Sequence, residues 1–226
     1  MATHERGLAT RRMILEAAGS VFAERGYSAA TVADVLNRLN LTRGAVYFHF
    51  SSKEELARTV LASQADIRTV DRHIKLQELI DLGVVFACQL TRDPVLQGSV
   101  RLSLELDSVG LDRRLPFQSW VDRNLLLLRE AQERGELRPH VDVQETAELL
   151  CAGFTGVQMF SQVMSGWKDL EERVRALLRN VLPNIAEPSI LVQLDLSEDR
   201  GTKVGAELAA MAAAEEARAD ESKGVD

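Results

Sequence analysis

Apolar positions recur along almost the whole chain at intervals of three and four, the period of helices with one buried face. Between Leu8 and Arg25 they fall at Ile14, Ala17, Ala18, Val21 and Phe22. Gly26 follows Glu24 and Arg25 and predicts a left-handed stop. Ser28 or Thr31 caps a short second helix with Val32, Val35, Leu36 and Leu39 on one side. A tight turn at Asn40 and Leu41 leads to Thr42, which caps another short helix ending near His49. Ser51 or Ser52 caps the next, with Glu54 and Glu55 in its first turn, where the helix dipole favours negative charge.

Longer helices are predicted beyond this point, over residues 52–69, 75–92, 94–105, 116–134, 143–165 and 168–182. Asp93-Pro94 opens one, Arg134-Gly135 closes one, and Leu182-Pro183 stops the last. No strand alternation persists beyond a few residues and no internal repeat emerges, so the predicted fold class is all-α. From about Gly201 the chain turns Ala- and Glu-rich, with no large apolar face after Leu208. That composition predicts a flexible tail over residues 202–226.

With 226 residues and 46% hydrophobic content the chain can build a real core. It has no apolar run of 18 residues, and its first residues, MATHERGLATRR, lack a signal-peptide stretch. The expectation is a cytoplasmic protein with no membrane partner. Cys88 and Cys151 sit in the apolar contexts VVFACQL and AELLCAGF, which predicts buried free thiols. The net charge of −7 argues against a generic nucleic-acid binder, but the average conceals an asymmetry. Residues 1–53 carry seven basic and four acidic side chains, +3, so the remainder carries −10. Such a split predicts a small N-terminal unit that meets a polyanion.

The stretch LTRGAVYFHFSSKEEL, residues 41–56, joins that charge to chemistry. Two short helices linked by a tight turn and propped by a longer first helix describe a helix-turn-helix, whose second helix enters the major groove of DNA. Thr42 and Arg43 stand at its start, and Arg43 can donate two hydrogen bonds to guanine. Gly44 costs about 1 kcal/mol against alanine in a helix, a cost that makes sense where backbone must approach DNA. Tyr47, one turn later, places a hydroxyl for phosphate. His49 and Lys53 suit flanking backbone contacts, and Thr31 completes the candidate DNA-binding set. Phe48 and Phe50 are expected to turn back onto Ala17, Val21 and Phe22. Taken singly, Arg43, Tyr47 and His49 are also ordinary surface residues; spacing, charge and aromatic placement together favour DNA.

In the second half, Trp120 lies on a helix with the stripe Phe117, Val121, Leu125 and Leu128, where a tryptophan by itself reads as core. The apolar helix ETAELLCAGFTGVQMFSQVMS holds Gly153 and Gly156, together about 2 kcal/mol worse than alanines unless a helix or ligand comes close. Thr155 and Gln158 add polar atoms of the kind that orient a ligand in a pocket. Catalysis finds no footing. His4, His49, His73 and His140 are scattered without metal-ligand spacing, and no GxSxG, glycine-rich phosphate loop or Cys-x2-Cys occurs. No catalytic residue, metal site or cofactor is expected.

Residues 11–56, with ILEAAGSVFAERGYSAATV followed by LTRGAVYFHFSSKEEL, resemble the DNA-binding domain of the TetR family of repressors. The resemblance implies a homodimer whose two recognition helices read a palindromic double-stranded operator, with recognition-helix residues on bases and its tyrosine on phosphate. Residues 8–201 further resemble the γ-butyrolactone autoregulator receptors of actinomycetes, through YFHFSSKEELA, the Trp120 helix, LRPHVD, AGFTGVQMFS and LLRNVLPNIAEPSILVQLDL. That likeness implies a pocket in which Trp120 packs on a small-molecule effector and Gln64 and Thr155 supply polar contacts. Arg43 stands where lysine is frequent in such receptors.

The domain organisation expected is a helix-turn-helix domain over 1–52, a larger helical ligand-binding and dimerisation domain over 53–201, and the tail. Helix 52–69 is expected to act as a lever from pocket to DNA. Helices 143–165 and 168–182 are expected to form a four-helix interface through Leu149, Leu150, Val174, Leu177, Leu178 and Val181. The function implied is repression relieved by a γ-butyrolactone-type signal in the control of secondary metabolism. The alternative is a repressor of the same family that senses an antibiotic or biosynthetic intermediate.

Overall fold

Helices dominate the computed structural model of the chain, which describes residues 2–39, 41–105 and 110–223. In order they are α1 (Ala2–Ala29), α2 (Val32–Arg38), α3 (Arg43–His49), α4 (Lys53–Ala62), α5 (Lys75–Leu90), α6 (Pro94–Leu104), α7 (Arg114–Glu133), α8 (Val143–Ser165), α9 (Leu170–Ile185), α10 (Pro188–Leu191) and α11 (Arg200–Lys223). Among the described residues no strand forms, and Leu137 and Ala186 make one isolated bridge. The all-α expectation stands. No described helix is long and apolar enough to cross a membrane.

The chain divides into two units, residues 1–66 with 89–120, and residues 67–88 with 121–226. In the first unit Ile14, Ala18, Val21 and Phe22 of α1 share one buried core with Val35, Val46, Phe50, Leu56, Val60 and Leu102. The expected boundary after residue 52 therefore falls inside this core, because α4 and α6 complete it. A glycine crossing explains how α6 joins. A Cβ placed on Gly98 would lie 2.5 Å from the Gly19 carbonyl oxygen, and one on Gly19 would lie 2.5 Å from the Pro94 carbonyl oxygen. Only hydrogens at both positions let α1 and α6 pass so closely.

Local chemistry sets the helix ends. Thr31, Thr42 and Ser52 each accept a backbone N–H three residues on, from Asp34 (3.1 Å), Ala45 (3.3 Å) and Glu55 (3.1 Å). Gly26 breaks α1 with φ 71° and ψ −175°, an extended positive-φ conformation rather than the left-handed helical cap expected. Glu105 accepts the Tyr27 N–H at 2.5 Å there. The expected turn at residue 40 lies outside the described residues. The helix expected over 52–69 is shorter, ending at Ala62 and followed by a 3-10 turn over Ser63–Asp66. Ser63 donates its hydroxyl to the Val60 carbonyl at 2.8 Å, a local bond that competes with helix continuation.

In the second unit a buried carboxylate organises the packing. Asp81 accepts from Arg72 Nε at 2.8 Å, Gln77 Nε2 at 2.9 Å, and Arg200 Nε and Nη2 at 2.7 Å each. Arg200 begins α11, and Gly201 and Val204 are buried beside it. Residues 200–223 are thus helical where a tail is expected from the sequence. Alanine and glutamate are strong helix formers, and the Asp81 anchor fixes the start. Helix α9 runs past Pro183 to Ile185, and the Ala186 N–H closes it onto the Leu182 carbonyl at 2.8 Å. Cys88 and Cys151 are thiols, not a disulfide, and each is only half-buried; burial pushes the Cys151 thiol up.

Candidate functional site

Helix α3 is seven residues long, and its side chains divide sharply. Val46 is buried, whereas Thr42, Arg43, Gly44, Tyr47 and Phe48 are exposed. At about 100° per residue, Tyr47 lies about 40° around the helix from Arg43, Gly44 about 100° and Phe48 about 140°. These four form one continuous outward arc. The Arg43 guanidinium stands over the Tyr47 ring, 5.4 Å from its centroid. A Cβ on Gly44 would meet nothing within 4 Å, so that flank of the helix is bare backbone. Thr42 accepts the Ala45 N–H and keeps its own O–H to donate. His49 is half-buried at the end of α3, with its ring edge-on to Phe48.

One placement differs from the sequence expectation, and two candidate DNA contacts also bond within the protein. Phe48 is 85% exposed instead of packed on Ala17, Val21 and Phe22, while Phe50 is buried as expected. Phe48 and Val46 are two residues apart on a helix and therefore face nearly opposite ways. Phe50 lies beyond the helix, at φ −141°, so its direction no longer follows the helical period. Thr31 is occupied by its own cap. Its hydroxyl donates to Asp34 Oδ2 at 2.7 Å and accepts the Asp34 N–H, and its amide donates to the same carboxylate at 2.9 Å. That bonding, with Arg25 at 2.8 Å, holds the Asp34 carboxyl below the usual range. Lys53 donates to the carbonyls of Tyr27 (2.8 Å) and Ala30 (3.0 Å), which takes two of its three N–H groups.

The candidate effector residues meet in part. Trp120 Nε1 donates to Gln64 Oε1 at 2.9 Å, and Gln64 Nε2 donates to Ser99 Oγ at 3.0 Å. Ser99 in turn donates to the Leu61 carbonyl at 2.9 Å. Gln64 and Ser99 are buried and Trp120 half-buried, so the relay is shielded along most of its length. Leu61 belongs to the last turn of α4. Thr155 lies in the second unit, where its hydroxyl donates to the Cys151 carbonyl at 2.8 Å. Ser99 was not legible in the sequence, since a serine in QGSVRLS carries no motif.

In the second unit α8 and α9 border a groove of about 410 Å³, lined by Gly156, Val157, Phe160, Arg173, Leu177 and Asn180. Leu149, Met159, Phe160, Val163 and Met164 are exposed on α8. Arg173 stacks over Phe160 at 4.7 Å. Of the residues expected to form an interface, Leu150, Val174 and Leu178 are buried within their own unit, Leu177 and Val181 are half-buried, and Leu149 is exposed. Gly153 faces Leu177, whose Cδ1 would be 3.3 Å from an added Cβ, whereas nothing lies within 4 Å of one at Gly156.

Comparison with known proteins agrees with this layout. Residues 14–60 match the model of bacterial regulatory proteins of the tetR family. The chain is similar to the A-factor receptor protein of Streptomyces griseus, 36% identical over 195 residues, which are 86% of this chain and 70% of that protein. A solved TetR regulator of Streptomyces fradiae, TylP, is 43% identical with a TM-score of 0.83, covering 89% of this chain and 98% of that one. A structure solved to explain control of antibiotic production by a bacterial hormone is 34% identical with a TM-score of 0.70, covering 79% of this chain and 98% of that one. Fold, the family match over residues 14–60 and similarity over most of the chain agree: the chain belongs to the TetR family of transcriptional regulators.

Proposed function

We propose that this TetR-family repressor binds a palindromic operator as a homodimer and leaves it when a γ-butyrolactone-type signal occupies a site at Trp120. On the DNA side, Arg43 reads guanine, Thr42 and Tyr47 donate to phosphates, Gly44 admits close backbone approach, and His49 flanks the helix end. Thr31 and Lys53 act by holding the starts of α2 and α4, and Lys53 keeps one N–H for a phosphate. Two copies of α3 must sit about 34–36 Å apart, or a multiple of that, to enter successive major grooves. The exposed apolar side chains of α8 and the open flank at Gly156 suit the partner's α8 and α9.

The observation that carries the effector half is the relay from Trp120 through Gln64 and Ser99 to the Leu61 carbonyl. It joins Trp120 and Gln64 to the last turn of α4, and α4 starts four residues after α3 ends. A ligand shifts such an equilibrium only through different affinities for two conformations. A lactone whose oxygens compete for Gln64 and whose body packs on Trp120 meets that requirement. Similarity to the A-factor receptor protein of Streptomyces griseus, and the AGFTGVQMFS stretch, support the same class of signal.

The test is titration of the full chain onto the duplex upstream of its own gene by fluorescence anisotropy at fixed salt, with and without γ-butyrolactones. The reading expects tight, dimer-stoichiometric binding that a lactone reverses.

A further inference from the structure

A single exposed aromatic is ordinary on a protein surface. Phe48 is set apart by where it stands. It lies about 160° around α3 from Val46, the residue by which the helix seats on its own core. No other side chain of the helix points so directly away from the protein. One turn earlier, and about 40° away around the helix, is Gly44, where a Cβ would meet nothing within 4 Å. The outward arc therefore has two stripes. Arg43 and Tyr47, stacked on each other, form a polar one; Gly44, without a side chain, and the exposed Phe48 form an apolar one. The His49 ring meets that of Phe48 edge-on, at 5.1 Å and 85°.

Resting on the DNA-reading role of α3, we propose that Phe48 is a specificity-determining residue that reads thymine, its ring packing against C5-methyl groups in the major groove. The chemistry is selective because thymine is the one base that presents an apolar group there. Arg43 and Phe48 then read different bases from different stripes of one short helix, a guanine on the polar side and thymine on the apolar side. Phosphate contacts position the helix and carry no such information.

The experiment uses the full-length protein and duplexes enriched by it from a randomised pool. Each thymine of the best duplex is replaced in turn by deoxyuridine, which removes only the methyl, and affinities are measured for the wild type, Phe48→Ala, Phe48→Leu and Arg43→Ala. The wild type is expected to lose about fourfold at one or two thymines per half-site, the effect of one methyl leaving an apolar contact. Phe48→Ala is expected to bind the thymine duplex more weakly and to lose nothing further at those positions. Phe48→Leu, still apolar, is expected to keep part of the sensitivity. Because the side chain is exposed, thermal midpoints and the salt dependence of binding should match the wild type in both variants. Thymine sensitivity unchanged in Phe48→Ala, or no thymine at which the methyl matters, overturns the assignment while enrichment and the Arg43→Ala loss still uphold DNA reading by α3. A pool that yields no enriched duplex overturns both.

Discussion

The indole N–H of Trp120 donates to Gln64 Oε1 at 2.9 Å, so two residues 56 apart in sequence satisfy one another. An effector that hydrogen-bonds Gln64 has to replace the indole. Trp120→Phe keeps an aromatic surface but removes the donor. It is expected to lower unfolding stability by about 1 kcal/mol, the net worth of a shielded hydrogen bond. It should also blunt the DNA-release response to lactone while leaving DNA affinity intact. Urea unfolding and anisotropy titration check the two halves separately.

Arg43→Ala is expected to weaken operator binding by about 1–3 kcal/mol and to relax discrimination at one guanine per half-site. Tyr47→Phe removes the hydroxyl proposed to reach phosphate, so its loss should be uniform across sequences. Titrations against an operator and a base-substituted operator separate the two. Equal losses for Arg43→Ala on both duplexes would contradict its base-reading role.

Periodicity made the helical fold legible because a 3.6-residue repeat survives in any helix with a buried side, and Thr31, Thr42 and Ser52 were readable as caps because their oxygens serve the next turn. Partners separated by many residues were not readable. Nothing local in AAGSVFA or VLQGSVR announces that Gly19 and Gly98 meet, and so the inclusion of α6 in the first unit was hidden. The aromatic run suggests alternation between gripping and packing, but positions 46 and 48 of one helix cannot share a face, so Phe48 turns outward while Val46 seats the helix. Lys53 reads as a DNA ligand by charge and position, and its ammonium also donates to the Tyr27 and Ala30 carbonyls, which only the folded chain brings near.

The α1–α6 crossing makes a prediction against helix propensity. Alanine at position 98 would gain about 1 kcal/mol as a helix former. Its Cβ would instead meet the Gly19 backbone at 2.5 Å, so Gly98→Ala is expected to destabilise by about 1–3 kcal/mol through overpacking. Gly44→Ala has open space and should stabilise by up to about 1 kcal/mol while weakening DNA binding. Opposite shifts of the urea midpoint are the readout.

At the α8–α9 turn, Arg173 and then the hydroxyls of Ser161 and Ser165 hold the Asp169 carboxyl well below the usual carboxylate range. A depressed folded pKa contributes stability that is present above the unfolded value, about 3.9, and is lost as pH falls through the folded one. Asp169→Asn is therefore expected to be less stable than the wild type at neutral pH. The gap in urea midpoint should narrow progressively as pH drops below about 4. A gap that stays constant with pH would show that the carboxylate's charge is not what the turn uses.

The most direct measurement is release from DNA. The full-length protein, bound to a fluorescent duplex from upstream of its own gene at fixed salt, is titrated with a series of γ-butyrolactones differing in side-chain length. The account predicts saturable loss of anisotropy with at least one lactone, and a response shifted to higher concentration in Trp120→Phe and Gln64→Leu at unchanged DNA affinity. Tight operator binding that no lactone disturbs, in wild type and variants alike, would contradict the γ-butyrolactone signal and the effector role of Trp120 and Gln64.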